Sequence, residues 1–465
     1  MTPLAEWTAA NGRARGEPAV RIGIVLPSDG KKHLRLTVPD ADYRLRDAAG
    51  TAHTTRNTTI DFHVADAGVR ATVGHRDLIA SDAWTLTPVG QSPASVSSPD
   101  RPDPPAVRVD GIVAGRGFHW QTTTTQSIPG ELTVRRVRDN LLLATTLPLG
   151  NYLAGVLTAE MSGDCPLEFL KAQCVVTRSW TLTHSERKHD DLDLDVCNDD
   201  CCQRYQGTSA VTDTARAAVR ETRGVVLLAQ GAVVDANYSK SCGGIVEDPI
   251  AAFGVSKPGL RALVDAPPTS PLHRLFPVTY GNMREYVSGA WLADCDAYCG
   301  PRSVDESALP QYLGRVDRAE DLFRWTVTHQ RADLEDILRR KGYVPDDLTE
   351  VTNMIVSQRG VSGRAVAVEI ACRTPSDPHD VITVSDQHHI RNALHDSFLY
   401  SSAFYVNADR DDTGRVIRFH LHGAGWGHGV GLCQIGALGM ALAGQDHRRI
   451  LGHYFPAAEP VTVYA

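Results

Sequence analysis

The chain has 465 residues and a formal net charge of −8, from 47 basic and 55 acidic side chains. An acidic balance offers no general surface for a polyanion, so nucleic acid is not an expected partner. Apolar residues make up 42% and charged residues 22%, which is typical of a globular protein and excludes a disordered or fibrous chain. This length suits one large domain or two to three ordinary ones.

The N-terminal residues show no targeting or membrane-spanning pattern. The segment MTPLAEWTAANGRARGEPAV lacks a basic stretch followed by an apolar run, so no signal peptide is visible. No apolar run approaches about 18 residues, and we therefore expect no membrane span. Residues 1–18 are polar and turn-rich and are interpreted as a loose tail.

Short β-strand patterns fill the next part of the chain. Residues 20–26 run into an apolar stretch typical of a strand, and further strand patterns follow to residue 91. We therefore predict a small N-terminal β section over 19–91. The Pro/Ser-rich stretch 92–105 is interpreted as a connector or a surface loop. Strand patterns resume at residue 106, where the main region, 106–465, is predicted to begin.

Residues 147–180 predict two helices with a break between them. In the first helix Leu153, Val156, Leu157 and Glu160 lie at i, i+3, i+4 and i+7, which is one helix face. Glu160 therefore ends an apolar stripe, where the loss of hydration favours the protonated acid. A carboxylic acid that keeps its proton near neutral pH can protonate a leaving glycosidic oxygen. The alternative is that Glu160 only caps the helix end or forms an ion pair there.

An acidic segment, HSERKHDDLDLDVCNDDCC, follows at 184–202 and carries His189, Cys197 and Cys202. Imidazole and thiolate groups at short spacing are zinc ligands, although C-x3-C-C is not the spacing of a standard zinc finger. A disulfide between two of these thiols is the alternative in an oxidising compartment, and a dense acidic loop can also be merely solvated. Cys295 and Cys299 could bind metal one helical turn apart, but they and the scattered cysteines are interpreted as free thiols.

Several polar residues in the later segments are candidates for ligand binding. Gln203 and Tyr205 could form a sugar-binding wall, or the tyrosine could pack on the core. Tyr238 and Ser241 precede the glycine pair 243–244, which permits close backbone approach to a ligand or makes only a turn.

The segment 423–431 holds five glycines at alternate positions. His428 lies between two of these glycines, near Gln434. His428 and Gln434 are both candidates for substrate binding. His428 could also orient the acid, and a structural hydrogen bond to the turn is the alternative for the histidine.

Four motifs in chain order carry a resemblance to a known family. They are PLGNYLAGVLTAEM with PLEFLKAQCVVTRSW, then DVCNDDCCQRYQG, YSKSCGG, and GAGWGHGVGLCQIGA with HYFP. By these motifs the chain resembles the stage II sporulation protein D / amidase enhancer family over roughly residues 21–465. The family's studied members are murein lytic transglycosylases or activators of murein amidases. The resemblance implies that 106–465 is the catalytic region, with an elaboration at about 250–350, and that Glu160 of the AEM element is the catalytic glutamate.

The resemblance also implies ligands and surfaces. Some members bind zinc through a histidine and two cysteines in this region, but Cys201 stands here where many relatives have the histidine. The predicted ligands of a structural zinc ion are Cys197, Cys202 and His189. The cleavage of the glycan itself is expected to require no cofactor. The YSKSCGG element lines the family's cleft, which favours substrate-binding roles for Tyr238 and Ser241. The family pattern likewise favours such a role for Gln203 and Tyr205.

Taken together, the sequence predicts an α+β fold, with a mixed or antiparallel sheet, flanking helices and a small N-terminal β section. The first and last motifs are predicted to meet at one cleft. The predicted activity is a peptidoglycan lytic transglycosylase that uses Glu160 as acid and then as base. The alternative is a non-catalytic glycan-binding amidase enhancer, and a metal-dependent hydrolase is a third reading.

The expected partners are peptidoglycan glycan strands and a murein amidase. The family implies a cell-envelope or periplasmic location. Since no signal peptide is visible, the start codon could be misplaced, export could use another route, or the protein could act inside the cell.

Overall fold

The computed structural model describes residues 2–3, 16–90, 105–118, 121–183, 187–314 and 322–464. Most of the tail at 1–18 and nearly all of the connector at 92–105 lie outside these ranges. The chain divides into two compact units. The first comprises Met1–Val226, Tyr312–Asp317 and Val461–Ala465, and the second comprises Leu227–Gln311 and Arg318–Pro460.

The predicted α+β class is confirmed, and the N-terminal half of the first unit is built of β-strands. Alternating buried and exposed side chains explain most of these strands, as in His33–Val38. The strands are β1 Thr2–Pro3, β2 Pro18–Val25, β3 His33–Val38, β4 Tyr43–Asp47, β5 Ala52–Thr55, β6 Thr58–Ala65, β7 Gly68–Val73, β8 Arg76–Asp77, β9 Ala83–Pro88, β10 Ala106–Ala114, β11 Thr122–Pro129, β12 Glu131–Val137, β13 Asn140–Pro148 and β14 Val196–Cys197.

Two sheets form from these strands. One has the order β1-β2-β13-β12-β9-β4-β5, with β14 also paired to β2, and the other has the order β11-β10-β3-β6-β7-β8. Both sheets join strands from before and after the connector, because β9 pairs with β12 and β3 pairs with β10. The structure therefore places no domain boundary at 92–105, in contrast to the predicted separate section at 19–91. Long-range strand pairing, which the linear pattern does not encode, is the reason for the difference.

Three helices complete the first unit and pack on one another: α1 Leu149–Glu160, α2 Leu167–Thr183 and α3 Asp213–Glu221. Helix α1 follows β13 without a loop and packs against β2 and β13. Every residue of α1 is buried. Thr212 caps α3 by accepting a hydrogen bond from the Ala215 N–H. The predicted break between α1 and α2 is present.

The second unit contains shorter elements and several small sheets. Its elements, with the strand that leads into it, are β15 Val225–Ala229, β16 Ala232–Val233, β17 Tyr238–Ser239, β18 Ile245–Val246, α4 Pro249–Phe253, β19 Leu263–Val264, α5 Met283–Ser288, α6 Leu309–Tyr312, β20 Arg324–Gln330, α7 Arg331–Arg340, β21 Glu350–Arg359, β22 Ala365–Arg373, β23 Asp380–Ser385, α8 Gln387–Ala393, β24 Phe404–Arg410, β25 Val416–Ala424, β26 Leu432–Cys433, α9 Gln434–Leu442, α10 His447–Tyr454 and β27 Glu459–Thr462.

The larger sheets of the second unit, β20-β25-β24 and β21-β22-β23, contribute to one apolar core. Apart from Tyr312–Asp317, the predicted elaboration at about 250–350 lies in this unit together with the glycine-rich C-terminal segment. Strand β17 pairs in parallel with β26, which places the YSKSCGG element beside the start of α9. Strand β16 ends at Val233, and the separate strand β17 begins at Tyr238, which pairs with Leu432 of β26.

Within the described part of the chain, none of the helices has the length and apolar character needed to cross a lipid bilayer.

Candidate functional site

Glu160 is the last residue of α1 and lies in the interior of the first unit. Its relative exposure is 9%, and Leu153, Val156 and Leu157 on the same helix face are fully buried. Its Oε1 accepts a hydrogen bond of 2.9 Å from the backbone N–H of Arg204. The predicted burial of an acid at the end of an apolar stripe is confirmed. The carboxylate is also held in position by a neighbouring loop.

The loop that holds Glu160 runs from Asn198 to Tyr205 and closes on itself. The Tyr205 N–H donates to the Asn198 carbonyl at 3.1 Å. Arg204 uses its backbone N–H for Glu160 and its guanidinium Nε for Oδ1 of Asp200, at 2.7 Å. Burial raises the pKa of Asp200, and Glu160 and Asp199 add to the rise while Arg204 opposes it. The loop therefore brings a second, largely buried carboxylate close to the candidate acid.

Asp199 anchors this loop to the β-sheet region. Its carboxylate accepts hydrogen bonds from the backbone N–H groups of Gly115, at 2.9 Å, and Arg116, at 2.7 Å. The Arg116 guanidinium contacts Asp199, Asn198 and both carboxylate oxygens of Asp29. This network of charge-assisted hydrogen bonds fixes the loop to the segment that follows β10.

The predicted zinc ligands come together at the start of the same loop. The ligand atoms of His189, Cys197, Cys201 and Cys202 all lie within 4.8 Å of one another. The Sγ atoms of Cys197 and Cys201 are 2.9 Å apart, and Cys201 Sγ lies 3.5 Å from His189 Nε2. Cys201, which the sequence prediction left out of the ligand set, therefore lies in the cluster with the other three.

The surroundings of this cluster suit a bound zinc ion. Zinc takes four tetrahedral nitrogen and sulfur ligands in structural sites, and the donor set here is one imidazole and three free thiols. Strand β14 fixes Cys197 by pairing it with Gly23 of β2. Hydrogen bonds from the thiols of Cys197 and Cys202, with His189 acting in the same direction, lower the pKa of Cys201 and favour a thiolate. The residues present fit the ion that the family implies.

Gln203 and Tyr205 lie in the interior and do not form a carbohydrate-facing wall. The Gln203 Oε1 accepts from the hydroxyls of Tyr152, at 3.0 Å, and Thr181, at 3.2 Å. The Tyr205 ring is fully buried and stacks on Tyr152 with 5.6 Å between ring centroids. Both side chains contribute to the packing around the helices. Gly155 of α1 has no side chain, and this leaves room for the Tyr205 ring. The expectation of direct sugar contact by these two residues is corrected accordingly.

In the second unit the YSKSCGG element contacts the glycine-rich segment through the backbone. Ser241 is fully buried and exchanges two backbone hydrogen bonds with Trp426. Its Oγ accepts from the Gly243 N–H at 3.4 Å. Tyr238 is partly buried in β17. Ser241 therefore stabilises the turn in this structure, and a substrate contact by Tyr238 remains a prediction.

His428 is partly buried in the glycine-rich turn. Its Nδ1 accepts a hydrogen bond of 3.0 Å from the Val430 N–H, and its ring lies 5.1 Å from that of Phe253. Burial, reinforced by the charge of Arg364, lowers the pKa of His428 to about 3, so the imidazole is neutral at ordinary pH. The structural hydrogen bond considered as the alternative is present. Gln434, at the start of α9, is 1% exposed.

One position of this turn, Gly429, requires a glycine. A Cβ at Gly429 would lie 2.2 Å from the Arg364 guanidinium carbon, and its φ is +75°. Arg364 is fully buried and donates to the Ser362 hydroxyl, which in turn donates to Glu247 at 2.7 Å. Glu160 belongs to the first unit and His428 to the second, and their meeting at one cleft remains a prediction.

Sequence reasoning missed the residues that position the acid. Asp199 and Asp200 lie in the acidic segment for which a solvated loop was one interpretation, and Arg204 follows that segment, yet Asp199 is 3% exposed and Arg204 is 9% exposed. The available signal was their place between the cysteine cluster and the QRYQG element. Arg116 lies on a different part of the chain, and no spacing pattern connects it to the loop.

Comparison with known proteins finds two matching sequence models and two similar relatives. A sequence model described as stage II sporulation protein matches residues 137–228, and a domain of unknown function (DUF8618) matches residues 291–431. An uncharacterized protein of Brachyspira hyodysenteriae is 27% identical over 71% of this chain and 72% of its own length. The amidase enhancer of Bacillus subtilis is 24% identical over 65% of this chain, which spans only 39% of that relative. The matched stretch, residues 137–228, holds Glu160, the cysteine cluster and the loop that connects them, and in this stretch the chain is similar to stage II sporulation proteins.

Proposed function

We propose that this protein acts on the bacterial cell wall, as a lytic transglycosylase that cleaves peptidoglycan glycan strands with Glu160. The observation that carries the proposal is the placement of one carboxylic acid. Glu160 is buried at the end of an apolar helix and is positioned by a backbone N–H of a clamped loop. A pre-positioned acid in a poorly hydrated site suits proton transfer to a glycosidic oxygen.

In the proposed reaction Glu160 donates its proton to the oxygen between two amino sugars as the glycosidic bond breaks. The carboxylate then accepts the proton of a hydroxyl on the sugar that has lost its leaving group. That hydroxyl oxygen bonds to the anomeric carbon and closes an anhydro ring, so no water is consumed. One carboxylate serves both steps, whereas an ordinary glycoside hydrolase needs a second carboxylate beside the substrate.

The other residues of the site would position the acid. Arg204 orients Glu160 through its backbone and pairs with Asp200, so Asp200 is engaged by a cation. His189, Cys197, Cys201 and Cys202 would hold a zinc ion, which when bound supplies structural stabilisation of the loop. The loop carries no step of the reaction itself. Its role is to keep Oε1 of Glu160 at a fixed place relative to the bound glycan.

The test is Glu160→Gln, assayed on purified glycan strands with detection of anhydro-muropeptides by mass spectrometry. The substitution removes the transferable proton and keeps the size of the side chain, so we expect activity to fall by about 10²-fold or more. Glu168→Gln is the matched control, since Glu168 lies in the first turn of α2 and pairs with Lys171. Release of anhydro products by Glu160→Gln at the parent rate would refute the proposal.

The second candidate is a non-catalytic enhancer of a murein amidase, and the relative from Bacillus subtilis named amidase enhancer favours it. In that case the same residues would bind glycan and recruit the amidase. Digested sacculi separate the two functions: anhydro ends formed without any amidase identify an enzyme, and faster amidase turnover alone identifies an enhancer. Either function places the protein in the cell envelope.

A further inference from the structure

A second cluster of metal-ligating side chains lies in the second unit, apart from the residues proposed for catalysis. It comprises Cys242, Asp265, Cys299 and Cys433, whose ligand atoms all lie within 4.8 Å of one another. All four residues are buried, with relative exposures of 0%, 0%, 3% and 1% in that order. The three cysteines are free thiols. Three sulfurs and one carboxylate in the interior demand either protonation or a cation.

Four separate chain segments build this cluster. The parallel pair β17–β26 aligns Ser239 with Cys433, so Cys242 and Cys433 emerge side by side. The Asp265 N–H donates to the Gly244 carbonyl at 2.8 Å, and the Tyr298 N–H donates to the Asp265 carbonyl at 2.9 Å. These backbone bonds bring the carboxylate and Cys299 to the two sulfurs. The ligand spacing along the chain matches no motif, and only the fold reveals the cluster.

The distances agree with a single tetrahedral ion. Zinc–sulfur bonds of about 2.3 Å place neighbouring sulfurs about 3.8 Å apart in a tetrahedron. The Sγ atoms of Cys242 and Cys299 are 3.7 Å apart, and Cys242 Sγ lies 3.1 Å from Oδ2 of Asp265. Ligand atoms this close together suit one ion and not a multi-iron cluster, whose cysteine sulfurs lie farther apart.

The groups around the cluster are those of a thiolate site. Backbone N–H groups point at the sulfurs: Gly244 donates to Cys242 at 3.3 Å, and Cys242 and Gly436 donate to Cys433 at 3.2 and 3.3 Å. Such donors stabilise sulfur that carries negative charge. A Cβ at Gly436 would lie 2.4 Å from Oδ2 of Asp265, so only glycine fits there.

Asp265 is held by partners of its own. Its Oδ1 accepts from the Tyr454 hydroxyl at 2.8 Å and contacts His453 Nε2 at 3.1 Å. This leaves Oδ2 facing the sulfurs, and outer partners of this kind orient a metal-binding carboxylate. The nearby Arg324 guanidinium is directed to backbone carbonyls, among them that of Gly243 at 2.9 Å.

We infer that Cys242, Asp265, Cys299 and Cys433 form a structural zinc site, with His453 and Tyr454 as positioning residues for the carboxylate. The four protein ligands complete the tetrahedron and leave no position for a water or substrate, which is the property of a structural site and not of a catalytic one. Binding releases the protons of the three thiols. The bound ion would crosslink the turn at residues 241–244, the start of α9 and the two loops that carry Asp265 and Cys299. The inference is independent of the proposed glycan chemistry.

The test must separate this site from the His189 cluster. The full-length chain with Cys197→Ser, Cys201→Ser and Cys202→Ser keeps only the second cluster. After growth with zinc, we expect elemental analysis to find about one zinc per chain, and cobalt substitution to give the sulfur-to-cobalt charge-transfer bands of thiolate ligation. Adding Cys299→Ser is expected to reduce the bound zinc to under about a tenth of that value. Cys295→Ser, four residues earlier, is the matched control and is expected to change nothing.

A conservative change gives a graded readout. Tyr454→Phe keeps the buried ring and removes one hydrogen bond to Asp265, so zinc affinity should fall about 10-fold with the stoichiometry unchanged. The inference is overturned if the folded triple variant binds no zinc, or if mass spectrometry finds a disulfide between Cys242 and Cys299. If the triple variant does not fold, anomalous scattering at the zinc edge from crystals of the unaltered chain decides the matter: a peak among these three sulfurs supports the site, and its absence there refutes it.

Discussion

The backbone N–H of Arg204 donates a hydrogen bond of 2.9 Å to Oε1 of Glu160. The side chain of the same residue pairs with Asp200 at 2.7 Å. One loop residue therefore positions the candidate acid and compensates the charge of the second carboxylate near it. A side-chain substitution at Arg204 keeps the first interaction and removes the second, so the two contributions can be separated.

Arg204→Ala is expected to lower the free energy of unfolding by about 2 kcal/mol, because it removes a cation that pairs with the largely buried carboxylate of Asp200. The side chains of Arg204 and Asp200 are only 11% and 18% exposed. Arg302→Ala is the control, since Arg302 and Asp294 form an ion pair with exposures of 59% and 80%, and its loss should cost under about 0.5 kcal/mol. Denaturant unfolding measures both, and equal effects would contradict the role assigned to the Arg204 pair.

Asp199→Ala should destabilise the loop that carries Arg204. The change removes an acceptor for the Gly115 and Arg116 N–H groups and leaves the Arg116 guanidinium short of one partner. We expect a loss of about 3 kcal/mol in denaturant unfolding, together with lower glycan-cleaving activity, because Glu160 loses its fixed orientation. Asp40→Ala removes an exposed partner of Arg56 and should leave both measurements unchanged. A neutral Asp199→Ala would show that the loop is held by other means.

Two helical glycines are expected to respond oppositely to alanine. A Cβ at Gly155 of α1 would lie 2.4 Å from the Tyr205 ring, whereas a Cβ at Gly452 of α10 would meet nothing within 4 Å. Gly155→Ala should therefore cost about 2 kcal/mol through overpacking, and Gly452→Ala should add about 0.5–1 kcal/mol through helix propensity. Thermal unfolding compares them directly, and stabilisation by Gly155→Ala would mean that the Tyr205 ring is not fixed against α1.

The His189 cluster predicts a zinc-dependent stability of the first unit. Removing zinc with a strong chelator should lower the unfolding temperature, and Cys202→Ser should reduce the bound zinc by one ion per chain because it removes a ligand. Cys372→Ser serves as control, since Cys372 is buried in β22 outside both cysteine clusters. Unchanged zinc content in Cys202→Ser would exclude that sulfur as a ligand.

The neutral His428 predicts a contribution to stability that is lost in acid. Its pKa is lowered to about 3 in the folded chain, so below its ordinary value the unfolded chain binds the proton first. Stability is therefore fully present above about pH 6.5 and falls between there and pH 3, by up to about 1.4 kcal/mol per pH unit from this group.

His428→Asn keeps an acceptor for the Val430 N–H and cannot titrate in this range. The variant should show a shallower decline of the unfolding free energy from pH 6.5 to 4 than the parent chain. Glu247, whose pKa burial raises, acts in the opposite direction in both proteins and cancels in the comparison. Identical slopes would show that His428 does not remain neutral.

Local patterns predicted the elements around the acid well. The apolar spacing of α1 and the break before α2 depend on residues close in sequence, and the structure has them as expected. The same is true of most strands, whose alternation is visible over a few residues. The burial of Glu160 followed from the same helical periodicity.

The pairing of strands distant in sequence and the direction of individual side chains could not be predicted from local sequence patterns. Nothing in the spacing shows that β9 pairs with β12, or that Cys299 lies beside Cys242. Gln203 and Tyr205 have the residue types of a sugar-binding wall, yet both side chains point inward. Gln203 accepts hydrogen bonds from residues of α1 and α2, and the Tyr205 ring fills the space beside Gly155. Residue type alone does not distinguish an interior amide from a surface one.

The pairing of β3 with β10 and of β9 with β12 has a consequence for protease treatment. A single peptide bond broken within residues 91–104 would yield two fragments that remain joined by backbone hydrogen bonds in both sheets. Such a nicked chain should migrate as one particle under native conditions and separate into two pieces only in denaturant.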